Sequence, residues 1–169
     1  MEGRFERHVS ENVRDLTGTH HGGRWGAPGA YSVLYLGRPV ESVVVEAYRH
    51  LVDCVEGMRP NLVRPRRLLH LDVRVSQVLD LRLAETQEAL GLTADDLLSA
   101  VGAYERCQRV GAAAHQLSLH GLIAPAATGV GETLALFEAH LPPSELPVLV
   151  GEEAWEGLPA DPRRVPRTP

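Results

Sequence analysis

Between Val40 and Val55 the apolar residues Val40, Val43, Val44, Ala47, Tyr48, Leu51, Val52 and Val55 recur at three- and four-residue spacing. That period predicts an amphipathic helix with one buried stripe, stopped at Gly57. Pro39 suits its first turn, and Val33 to Leu36 ahead of it forms a short apolar run fit for a strand. Leu69-His70-Leu71-Asp72-Val73-Arg74-Val75 alternates apolar and polar, the period of a half-buried strand. Thr93 with Asp96 three residues on predicts a capped helix start, and a further helix from about Val101 to Leu119 carries Tyr104, Cys107, Val110, Ala114 and Leu117. Gly121-Leu122-Ile123 and Thr133 to Phe137 read as strands around the loop APAATGVGE. Helices interspersed with short strands give an α+β or mixed α/β domain. From Gly151 onward Pro, Arg, Asp and Glu dominate, which predicts a domain over 1–150 followed by a loose tail over 151–169.

Composition narrows the chemistry. A chain of 169 residues, 44% hydrophobic, suits one globular domain with its own core. Seventeen basic against 22 acidic residues leave a net charge of -5, so no broad field favours nucleic acid or an anionic membrane. Every basic residue is Arg, which excludes Schiff-base or P-loop lysine chemistry. Cys54 and Cys107 form neither a disulfide framework nor a zinc ligand set. The N-terminal stretch MEGRFERHVSENVRD has no apolar core, and no apolar run reaches membrane-spanning length, so a soluble, cytoplasmic protein is expected.

The densest candidate for ligand contact is the loop HHGGRWGAPGAY, where Gly22, Gly23, Gly26 and Gly29 surround Arg24, Trp25 and Pro28. Glycine at that density lets backbone approach a ligand closely. His20-His21 lacks a third ligand at helical spacing, so no metal site is expected. Arg59, Arg64, Arg66 and Arg67 crowd a proline-rich connector that suits either phosphate or solvent. There is no GxGxxG after a strand, no P-loop, no HExxH and no GxSxG.

At GGRW, VLYLG, the helix containing VVVEA, LLHLDVRVSQVLDLR and GLIAPAATGVGETLALF, the chain resembles the RES domain family from roughly Gly22 to Phe137. The resemblance implies an α+β single domain with an ADP-ribosyltransferase-like mixed sheet core. It implies a toxin of a bacterial toxin-antitoxin pair, with a helix-turn-helix antitoxin as partner. NAD would be the substrate, consumed by hydrolysis, phosphorolysis or ADP-ribosyl transfer, and no cofactor is implied. The family's Arg falls on Arg24, its aromatic on Tyr35 and its Glu on Glu46. The family's Ser position is occupied by Ala126, which leaves a second reading open: a weakened or inactive RES-fold protein that acts by binding a partner or nucleotide.

These residue types suit the implied chemistry. Cleaving the nicotinamide–ribose bond builds positive charge on the sugar. Arg24 can hold phosphate or ribose oxygens with paired hydrogen bonds, Tyr35 offers a ring face, and an ionised Glu46 can stabilise the cation. Each also has an ordinary reading. Arg24 would pack on Trp25 at the surface, Tyr35 would be a half-buried core aromatic, and Glu46, opposite the apolar stripe, would pair with His50 at i+4. Glu41 competes as the acidic residue, although a place near the helix N-terminus explains it by capping. Thr128 offers a hydroxyl near the missing serine.

Overall fold

The computed structural model describes residues 1–13, 15–98 and 104–164. Its frame is a seven-stranded mixed sheet built from β1 (Glu2–Ser10), β2 (Val33–Arg38), β3 (Arg66–Arg74), β4 (Val78–Asp80), β5 (Gly121–Pro125), β6 (Glu132–Phe137) and β7 (Val148–Trp155). The spatial order is β4-β5-β6-β2-β1-β3-β7, parallel between β4 and β5 and antiparallel elsewhere. The helices are α1 (Val40–Tyr48), α2 (Ala84–Ala89), α3 (Ala94–Leu98) and α4 (Glu105–Gln116). The α+β class read from the sequence holds.

Strand alternation sends the two faces of the sheet to different ends. Phe5, Leu34, Leu36, Leu69, Leu71, Val73, Ile123, Leu134 and Leu136 form a continuous apolar core on one side. On the other side two separate clusters form. Val43, Val44, Ala47 and Tyr48 of α1 pack with Leu68 and Trp155, while Leu97 of α3 and Cys107 and Ala114 of α4 pack with Trp25, Leu122, Ala124, Ala135 and Phe137. Helix α1 thus lies against β1 and β2 and reaches toward Leu68 and Trp155, α3 and α4 cover the β5–β6 side, and the gap between the two clusters is left for polar side chains of β1 and β2. Burying each large apolar side chain contributes about 1.5–3 kcal/mol, so the two clusters hold the helices apart as well as down.

Sequence and structure differ in four places. The N-terminal stretch, which gave no strand signal, is β1, at the centre of the sheet between β2 and β3. Its Phe5 and Val9 enter the core, whereas Glu6 and His8 point to the polar middle of the other face. The helix expected to reach Val55 stays α-helical only to Tyr48 and widens into a π-helical stretch at Arg49–Asp53, where Leu51 and Val52 are half-buried and Val55 is exposed. Arg66 and Arg67, placed in a connector, open β3 instead. Gly151–Trp155, read as the start of a loose tail, complete edge strand β7 along β3. An edge strand with one neighbour and open faces tolerates the polar composition that suggested a tail; here Trp155 is buried and stacked on His8 at 6.2 Å between ring centroids. Of the helix expected from Val101, residues 101–103 lie outside the described residues, and α4 runs Glu105–Gln116.

No helix among the described residues is long and apolar enough to cross a membrane.

Helix α4 reaches its place through Gly111, where a methyl group would overlap the carbonyl oxygen of Trp25. Gly111→Ala is therefore expected to destabilise the fold by about 1–3 kcal/mol, despite the roughly 1 kcal/mol that alanine gains in helix propensity. Thermal unfolding checks it; an unchanged or higher melting temperature would show that α4 does not press on this backbone.

Candidate functional site

The polar middle of the sheet opens into a cavity of about 750 Å³. Its walls come from β1 (Glu6, Arg7, His8), the glycine-rich loop (Gly22, Gly23, Arg24, Trp25), β2 (Tyr35, Gly37), α1 (Ser42, Glu46, His50) and α4 with the residue before it (Tyr104, Gln108). Arg24, Tyr35 and Glu46, singled out on a loop, a strand and a helix, line this one cavity. Ala126 does not; it is 1% exposed, its N–H donates to Gly131 O at 2.9 Å, and its neighbours Pro125 and Ala127 face the cavity instead.

The loop is held by its backbone. Thr19 and Val33 exchange backbone hydrogen bonds of 2.9 and 3.2 Å, Gly23 N–H donates to Gly26 O at 2.8 Å, and Gly29 N–H donates to His20 O at 2.8 Å. Between these ties Trp25 turns inward and is 1% exposed. Its N–H donates to the Tyr35 hydroxyl at 3.0 Å, and its carbonyl accepts from the Tyr31 hydroxyl at 2.9 Å. Gly23 is needed for that approach, because a Cβ there would lie 2.7 Å from the Tyr35 oxygen. Gln108 Nε2 donates to Gly23 O at 2.9 Å, which clamps the loop to α4.

With Trp25 inward, its neighbour Arg24 turns to the cavity side. Its guanidinium lies over the Tyr104 ring, 4.6 Å from the centroid, and donates to the backbone oxygen of Asp96 at 2.7 Å. The expected packing on Trp25 is replaced by packing on Tyr104. Asp96 is itself fixed by the predicted capping box: Thr93 N–H donates to Asp96 Oδ2 at 2.8 Å, and Asp96 N–H donates to Thr93 Oγ1 at 3.2 Å. Arg24 also lies beside the Cys107 thiol, whose pKa its charge lowers against the burial that raises it.

Glu46 lies three residues from Val43 on α1, off the stripe that packs on the sheet. His50 Nε2–H donates to its Oε1 at 2.7 Å, and Arg49 approaches its Oε2 at 3.9 Å. The ordinary pairing with His50 and the cavity position therefore coexist. Burial alone would raise the Glu46 carboxyl, but the His50 hydrogen bond and the charges of His50, Arg49 and Arg24 outweigh it and hold the pKa below the usual range. Glu46 is thus ionised at neutral pH. Tyr35 goes the other way: burial raises its hydroxyl pKa, so it stays protonated and accepts from Trp25 N–H. Glu41 is exposed in the first turn of α1 and is not part of the cavity wall.

Glu6, His8, Ser42, Tyr104 and Gln108 were not singled out from the sequence. The available signal was the alternation Phe5-Glu6-Arg7-His8-Val9, which now places two polar side chains in the covered centre of a sheet. Outside the cavity, Ser76, His120 and Glu145 resemble a nucleophile set, but the Ser76 hydroxyl donates to Glu145 Oε1 at 2.7 Å and both partners crowd the same imidazole nitrogen, Nδ1. No ring nitrogen is placed to take the serine proton, so the cluster is a staple between loops. Among the described residues no three His, Cys, Asp or Glu side chains gather as a metal ligand set.

Comparison with known proteins gives one consistent result. The family model described as RES domain matches residues 4–156. NAD(+) phosphorylase MbcT of Mycobacterium tuberculosis is 34% identical, with 81% of this chain and 78% of the relative covered, and MbcT of Mycobacterium bovis matches equally. Among solved structures, the M. tuberculosis MbcT-MbcA toxin-antitoxin complex contains a chain that superposes with a TM-score of 0.79 at 28% identity, covering 92% of this chain and 85% of that one.

His8 provides a test of the cavity's electrostatics. Burial, with Arg66, His50 and Arg7 adding to it, pushes the imidazole down to about 3. Arg66 Nε donates to Nδ1 at 2.9 Å, so the ring is neutral and carries its hydrogen on Nε2. Between that value and the ordinary 6.5 the unfolded chain binds a proton that the folded chain does not, so the contribution of His8 to stability is fully present above about pH 6.5 and lost as pH falls. In NMR titration His8 is expected to keep neutral-ring shifts down to about pH 4. A midpoint near 6.5 would show the ring to be solvated.

Proposed function

The chain belongs to the RES domain family, and from that premise we propose that its cavity binds NAD and breaks the bond between nicotinamide and ribose. One observation carries the reading: Arg24, Tyr35 and Glu46, from a loop, a strand and a helix, converge on one cavity of about 750 Å³, within the range that holds ligands of this size.

In this reading Arg24, on the cavity wall, grips phosphate or ribose oxygens through its planar guanidinium, and the glycines beside it let backbone N–H groups approach the pyrophosphate. The C1–N bond to nicotinamide breaks with its electron pair moving to the ring nitrogen, which neutralises the pyridinium. The ribose carbon left behind becomes cationic, and the ionised Glu46 carboxylate stabilises it. An acceptor then bonds to that carbon and releases a proton. Inorganic phosphate is the first acceptor to test, because the curated relatives are NAD(+) phosphorylases; water and a protein side chain are the others. The solved relative is held in a toxin-antitoxin complex, so an antitoxin protein is the proposed partner, and an aqueous cytoplasmic site follows from that reading. The Ala126 position, whose methyl does not form the cavity wall, leaves binding without turnover as the second reading.

Purified protein incubated with NAD is expected to release nicotinamide, faster when inorganic phosphate is added. Glu46→Gln, which retains the helix and an acceptor for His50, should lower the rate at least tenfold while leaving NAD affinity within a few-fold, since the lost charge acts on the transition state. NAD that binds without nicotinamide release in the unmodified protein would favour the binding-only reading.

Arg24→Ala should weaken NAD binding by about 1.5–3 kcal/mol in calorimetric titration, the scale of a lost charged hydrogen-bonding partner. Arg24→Lys should recover little of it, because an ammonium cannot reproduce the planar fork. Unchanged affinity in a folded Arg24→Ala protein would remove Arg24 from the site.

A further inference from the structure

Two buried side-chain atoms among the described residues have no hydrogen-bond partner, Glu6 Oε2 and His140 Nε2, and of the two residues only Glu6 lines the cavity. Glu6 is 7% exposed on central strand β1. Its other oxygen, Oε1, is 3.8 Å from His70 Nδ1, too long for a hydrogen bond, while His70 gives its short contact, 3.0 Å from Nε2, to Glu153 on the outer strand. Across the sheet Glu6 stands opposite Gly37, so no β2 side chain covers it. A buried carboxyl with an unmade hydrogen bond is costly to keep, and native folds retain such groups where a ligand completes them.

The surrounding groups indicate what that ligand offers. Thr128 donates its hydroxyl hydrogen to Val130 O at 2.9 Å, so the 3.1 Å contact with Ser42 is a bond in which Ser42 donates. Ser42 therefore turns only lone pairs to the cavity. Glu46, one helical turn on, is an ionised acceptor. Glu6, Ser42 and Glu46 together present acceptors, which suit a ligand segment rich in O–H or N–H groups and reject phosphate.

We propose that Glu6 is a substrate-contacting residue, its Oε2 accepting a hydrogen bond from a neutral donor on the nucleotide, either a ribose hydroxyl or the carboxamide N–H. The proposal rests on the NAD reading above. Burial raises the Glu6 pKa, and the donor would relieve the desolvation that raises it.

The test compares the unmodified chain with Glu6→Met and Glu6→Gln by calorimetric titration with NAD and with ADP-ribose, and by thermal unfolding. Glu6→Met should bind NAD at least tenfold more weakly, yet melt at the same temperature or higher, because an apolar side chain relieves the unmade bond. Glu6→Gln, which keeps an acceptor oxygen, should stay within about threefold of the unmodified affinity. A loss shared by NAD and ADP-ribose assigns the donor to a ribose hydroxyl, and a loss confined to NAD assigns it to the carboxamide. NAD affinity within twofold in Glu6→Met overturns the proposal, as does a fall in melting temperature beyond about 4 °C in both variants, which marks a structural strut. If the unmodified chain binds no NAD, the nucleotide reading and this proposal fall together, an outcome distinct from binding that Glu6 does not affect.

Discussion

The inward turn of Trp25 sets the geometry on which the rest of the cavity depends. One residue is held at three points: its N–H by Tyr35, its carbonyl by Tyr31 and its backbone by the missing side chain of Gly111. Arg24 and Trp25 are the two central residues of the turn closed by Gly23 and Gly26, and with Trp25 buried it is Arg24 that lines the cavity. The same contacts tie β2 to α4, and so fix the width of the gap between the two helical clusters. Tyr35 is part of this arrangement as well as of the cavity wall. Its protonated hydroxyl serves the loop, and only its ring is left for a ligand.

The cavity exists because α1 and the α3–α4 pair pack as two separate clusters on one sheet face and leave a gap between them. A centre covered on both sides is normally lined by aliphatic residues. Here β1 carries Glu6 and His8 at that place, and its apolar residues Phe5 and Val9 go to the other face. Stability is drawn from the core side, where the apolar layer is continuous, and the polar side is freed for chemistry. The electrostatics are set residue by residue: Glu46 is kept charged by three basic neighbours, His8 is kept neutral by burial, and both line the cavity.

Elements with a clear period were legible in the sequence. Strands β2, β3, β5 and β6, the start of α1 and the Thr93–Asp96 cap are all found where spacing placed them. What escaped was governed by pairing partners distant in the chain. Strand β1 alternates charge with apolar residues over too few positions to stand out, and it becomes central only because β2 and β3 fold against it. Strand β7 has no buried stripe beyond Trp155, since its neighbour supplies its hydrogen bonds. For the site, the resemblance supplied Arg24, Tyr35 and Glu46, and folding brought them to one cavity. Glu6, Ser42 and Gln108 carry no motif, and their places are set by register and helix phase alone.

The cavity walls begin at Glu6 and end at Thr133, with α4 and the β5–β6 turn supplied late in the chain. During synthesis the first wall must therefore wait for the last, and the loop that carries Arg24 is not pinned to α4 until Gln108 and Gly111 have left the ribosome. No shorter nascent fragment holds a finished pocket. A cell making this protein meets whatever the cavity does only once the chain has been translated past Thr133.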